Sequence, residues 1–96
     1  MTNFESEIHD ILEELESTLI RKNKDYGNSF DDQMDEWGIV AGAIRISDKL
    51  NRLKQLSKPS HEQQVNDEAL EDTVLDLAGY SVLLCRWLKN RGEKLI

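Results

Sequence analysis

Ninety-six residues, 39% hydrophobic and 32% charged with a single proline, suit one small soluble helical domain spanning 1-96 and exclude a disordered chain. The formal charge of −7 argues against a nucleic-acid polymer as partner, because DNA and RNA binders usually present a basic face. It leaves room for one small phosphorylated ligand, since a metal ion can reconcile acidic side chains with phosphate.

The N-terminus, MTNFESEIHDILEELE, lacks the basic start and apolar run of a signal peptide, so a cytoplasmic location is expected. Phe4, Ile8, Ile11, Leu12, Leu15 and Leu19 recur at helical spacing, and Thr2 with Glu5 fits a capping box, which predicts a first helix. That helix ends in RKNKDYGNSFDD, where Gly27 can take a left-handed backbone and the Asn and Asp residues suit a turn. The segment is neither a P-loop nor an EF-hand, because the glycine spacing of the first and the twelfth-position Glu of the second are absent. As plain structure it is a polar turn. As chemistry, Lys22, Lys24, Asp25, Tyr26, Asn28 and Ser29 suit a nucleotide, with a ring for the base and lysines for phosphate.

A second helix is predicted from about Met34 to Leu56, with Val40, Ala43, Ile44, Ser47, Leu50 and Leu53 as its inner stripe. Within it, Arg45, Asp48 and Arg52 share a face. They form an ion-pair ladder of modest worth, a metal-binding carboxylate flanked by arginines for phosphate oxygens, or both at once. Pro59 then breaks the helical pattern. The third helix is predicted from Asn66 or Asp67 to about Asn90, with Gly92 as its stop. Its stretch Leu77 to Cys85 is the longest apolar run and far too short for a membrane span. Cys85, the single cysteine, is expected to be a buried thiol, with no disulfide and no cysteine zinc site available.

Three helices with short connections make an all-α antiparallel bundle. The third helix carries two faces. Leu70, Val74, Leu77, Ala78, Ser81, Cys85 and Leu88 form one, while Glu68, Asp72, Asp76, Gly79, Tyr80, Leu83 and Trp87 lie roughly opposite. A homo-oligomer burying Tyr80, Leu83 and Trp87 would account for the apolar end of the second face. Glu68, Asp72 and Asp76 recur every fourth residue at its acidic end, either as a solvated strip or, with Asp48 across from Asp72 and Asp76, as oxygen ligands for Mg2+.

KNKDYGNSFD, RISDKLNRL and EDTVLDLAGY, in that order and spacing, resemble the small phage and bacterial proteins called nucleotide modification associated domain 1, over about residues 18 to 88. Those in turn are similar to the MazG-like all-α nucleoside triphosphate pyrophosphatases. The resemblance implies an oligomeric helical bundle, dimer or tetramer, that binds Mg2+ through acids on two adjacent helices. The enzymes cleave a nucleoside triphosphate to the monophosphate and pyrophosphate. Their leading glutamate falls on Arg45, and their second motif aligns with Thr73 and Asp76, leaving Asp72 one position away from the expected acid.

On that likeness, Mg2+ held by Asp48, Asp72 and Asp76, with Glu68, would neutralise the triphosphate, and the metal, or a nearby carboxylate such as Glu71, would activate water. Arg45, Lys49 and Arg52 would stabilise the departing pyrophosphate, with the base against Tyr26, held by Asn28 or Asp25. The rival expectation, favoured by the arginine at the leading position, is a protein that binds or sequesters a nucleotide without cleaving it.

Overall fold

The structure, a computed structural model, describes the backbone of residues 2–58 and 63–95 and the side chains of 2–58 and 68–91. It is all-helical, with no strand among the described residues. The elements are α1 (Asn3–Tyr26), α2 (Ser29–Trp37), α3 (Ile39–Leu56) and α4 (Gln63–Leu95). Among the described residues, no helix is long and apolar enough to cross a membrane.

Helix α1 starts as its cap predicts: the Thr2 hydroxyl accepts from the Glu5 backbone N–H at 3.1 Å. It ends at Gly27, whose φ of 65° and ψ of −149° fall in a region essentially reserved for glycine. RKNKDY is therefore the last part of a helix rather than a loop.

Where one helix was expected from Met34 to Leu56, there are two. Gly38 has φ 80° and ψ −168°, which no helix can continue through, and its N–H closes the last turn of α2 on the Met34 carbonyl at 2.7 Å. The break folds α2 back over its neighbours. Met34 is completely buried, and a Cβ on Gly42 would stand 3.2 Å from the Met34 sulfur and 3.1 Å from Leu84 Cδ1. Absence of a side chain at Gly42 lets α3 approach that closely.

Helices α3 and α4 run antiparallel, as three matched pairs show: Gly42 with Leu84, Arg45 with Tyr80, Lys49 with Asp76. The face of α3 turned inward carries Gly42, Arg45, Ile46, Lys49 and Leu53. The predicted inner stripe is corrected here, because Val40, Ala43, Ile44, Ser47 and Leu50 all lie exposed in the single chain. The same reversal holds on α4. Thr73, Gly79 and Trp87 are buried, whereas Val74, Ser81, Cys85 and Leu88 are exposed. Cys85 is thus a surface thiol and not a buried one.

Trp87 needs no second copy for its burial: α2 covers it, and its indole N–H donates to Asp35 Oδ1 at 3.0 Å. Helix α4 also begins earlier than predicted and runs through Gly92, since glycine lowers helix stability by only about 1 kcal/mol and does not oblige a stop. The predicted break at Pro59 lies outside the described residues. Helix α1 meets α4 at Gly79, where a Cβ would stand 3.3 Å from Leu19 Cδ2 and 3.8 Å from Leu15 Cδ1.

Candidate functional site

The second half of α1 and the middle of α4 diverge from the Gly79 crossing, and the start of α2 closes one end. Between them lies an open cleft of about 1040 Å3, large enough for a ligand of several rings or phosphates. Because α1 continues as a helix through RKNKDY, the cations Arg21, Lys22 and Lys24 are carried along its wall.

Asp76, the acid in the apolar stretch of α4, faces two lysines. Its Oδ2 is 2.9 Å from Lys49 Nζ on α3, and its Oδ1 is 3.6 Å from Lys22 Nζ on α1. The carboxylate is about two-thirds buried, and two ammonium groups offset its desolvation. Arg45 is similarly engaged. Its guanidinium donates to Gln33 Oε1 and, at 3.4 Å, to the Tyr80 hydroxyl, and it lies 5.8 Å from the Tyr80 ring centre. Tyr80 in turn stacks on Phe30, with centroids 6.2 Å apart and planes inclined by 30°. At the α2 end, Arg86 Nη1 donates to both carboxylate oxygens of Asp31 at 2.8 Å.

Of the residues singled out from sequence, Lys22, Lys24, Tyr26, Asn28, Arg45, Asp72 and Asp76 line this cleft. Lys49 reaches it through Asp76. Asp25, Asp48, Arg52, Glu68 and Glu71 are exposed and do not line it. No ion pair joins Arg45, Asp48 and Arg52 among the described residues, so the ladder does not form. Sequence reasoning missed Phe30, Asp31 and Arg86. The signal was present: Arg86 follows Asp72, Asp76, Tyr80 and Leu83 at helical spacing, and Phe30 sits inside the NSFDD segment.

Among the described residues, the trio of potential metal ligands whose donor atoms lie within 4.8 Å of one another is His9, Asp10 and Glu13. All three are exposed on α1, where His9 simply contacts Glu13 at 3.1 Å. Asp48, Glu68, Asp72 and Asp76 do not converge in this way.

A family model described as nucleotide modification associated domain 1 matches residues 22–85, a span that starts at Lys22 and stops one residue before Arg86 in the cleft wall on α4. No curated protein matches the chain, and no solved structure does.

Proposed function

Since the chain belongs to the nucleotide modification associated domain 1 family, we propose that it is a cytoplasmic protein whose cleft binds a (deoxy)nucleotide. The observation that carries this is electrostatic. Arg21, Lys22, Lys24, Arg45 and Arg86 all line one cleft of a chain whose formal charge is −7. Glu14, Asp31, Asp72 and Asp76 line the same cleft and offset most of that charge, yet the local balance stays slightly positive in an acidic chain, which suits an anion. The stacked pair Phe30–Tyr80 in the same wall, with Tyr26 at the rim, offers ring surface for a base. Phosphates would lie along Lys22, Lys24 and Arg86, with Asn28 available to hydrogen-bond the base or sugar. A melting series with a panel of nucleoside mono- and triphosphates tests this, because a ligand bound only to the folded state raises Tm. No shift with any member at millimolar concentration would refute it.

A second reading, Mg2+-dependent cleavage of a nucleoside triphosphate to monophosphate and pyrophosphate, is favoured by Asp72 and Asp76 standing one turn apart in the cleft wall. Their oxygens are the right donors for a hard cation. The arrangement does not fit one, however. Both oxygens of Asp76 face lysines, and Asp48, Glu68 and Glu71 stand outside the cleft. Binding without cleavage is therefore the reading the geometry favours. Pyrophosphate released from any triphosphate in the presence of Mg2+ would reverse that preference.

Homo-oligomerisation belongs to the same proposal. Among the described residues, the buried hydrophobic core of one chain is Leu15, Met34 and Trp87, while Phe4, Ile11 and Leu12 on α1 and Val40 and Ile44 on α3 are each at least half exposed. A second copy covering these faces would complete the bundle.

A further inference from the structure

We infer that Asp76 is a built-in substitute for a ligand phosphate, holding Lys22 and Lys49 in position so that the cleft accepts a polyphosphate without a divalent cation. The inference rests on the nucleotide reading of the cleft and adds how its charge is set.

Three helices each contribute one member of the cluster: Lys22 from α1, Lys49 from α3 and Asp76 from α4. Two ammonium groups converging on one anion is an arrangement that a phosphate can use as well as a carboxylate. Asp76 and Lys22 line the cleft and Lys49 stands behind the carboxylate, so an incoming phosphate meets Lys22 directly and gains Lys49 by taking the place of Asp76. Arg86 and Asp31 repeat the device at the other end, where an acid of the wall holds a cation of the wall. The resting site is thereby close to charge-compensated, and ligand binding becomes an exchange of one anion for another. A metal ion would first have to displace both lysines from the same carboxylate. The two accounts predict opposite consequences of removing the Asp76 charge. An internal phosphate substitute competes with the ligand, so its loss tightens binding. A metal ligand recruits the ligand, so its loss weakens binding.

Inorganic tripolyphosphate is the probe, titrated calorimetrically into the 96-residue chain in EDTA and then in excess Mg2+. In EDTA, Asp76→Asn is expected to bind it about tenfold more tightly than the unaltered chain, the scale of one charge-assisted hydrogen bond. Lys22→Gln, at a half-exposed position that the fold tolerates, is expected to bind about tenfold more weakly on the same scale. Equal or weaker binding by folded Asp76→Asn in EDTA overturns the inference, as does binding by the unaltered chain only when Mg2+ is present. If Asp76→Asn fails to fold, the Lys22→Gln titration decides, and unchanged affinity overturns it. Failure of the unaltered chain to bind either tripolyphosphate or any nucleoside triphosphate would sink the nucleotide reading itself. Nucleotide binding in EDTA that Asp76→Asn does not tighten would remove only the role given to Asp76.

Discussion

Lys49 and Asp76 form a largely enclosed pair beside the cleft, with side chains 28% and 33% exposed and 2.9 Å apart. Neutralising the acid leaves Lys49 without its counter-charge, so Asp76→Asn should lower the stability of the ligand-free protein by about 1 kcal/mol in urea unfolding. A rise in stability would mean that Asp76 is repelled by other acids rather than held by lysines. Base recognition makes a separate prediction. Tyr26→Ala and Phe30→Ala should each weaken nucleotide binding by about 1–3 kcal/mol, the scale of base–aromatic stacking, while leaving tripolyphosphate binding unchanged. Calorimetry with both ligands checks it; equal losses for the two would point to a disturbed cleft instead. Much of this site was legible, since the RKNKDYGN segment, Arg45 and Asp76 were all marked by residue type. Asp48 was misplaced for a simple reason. Successive helix positions are turned by about 100°, so Lys49 points toward α4 and Asp48 does not, and residue type alone does not say which of two adjacent polar residues faces in.

At the level of elements, the two glycines with positive φ set where the chain turns. Gly38→Ala meets no atom within 4 Å of its new Cβ, so its whole effect is backbone strain. It should destabilise by about 1–3 kcal/mol in chemical denaturation with helix content retained. A neutral result would mean that α2 and α3 can merge into one helix. That break was hidden because MDEWGIV carries hydrophobic spacing across the glycine, and a lone glycine within a helical pattern is often tolerated. The cap at Thr2 and the end of α1 at Gly27 were readable because each depends on a local chemical requirement. The inward faces of α3 and α4 were not. Hydrophobic periodicity identifies the face that prefers to leave water, whereas close approach at Gly42 and Gly79 and the Lys49–Asp76 pair select the faces that meet within one chain.

For the whole molecule, the mismatch between apolar face and packed face predicts self-association. Light scattering should give a multiple of the 11.1 kDa protomer, and Ile44→Asp should return it to a single chain. Ile44 is 55% exposed in one chain, so the same substitution should change protomer stability by no more than about 0.5 kcal/mol. A monomeric parent protein would reject the assembly. The crossing at Gly79 carries a consequence of a different kind. Leu15 and Leu19 are the α1 side chains that close on it, and the N-terminal half of α1 beyond them is exposed throughout. Helix α1 is thus an arm resting on one apolar crossing and the Lys22–Asp76 pair beside it, and its amides should exchange with deuterium through smaller openings than those of α3 and α4. A ligand wedged between the arm and α4 would tie the arm down. Slowed exchange from Thr18 to Lys24 would then report occupancy of the cleft at a distance from any reacting atom, and exchange along α1 as slow as along α4 in the empty protein would show that the arm is clamped from elsewhere.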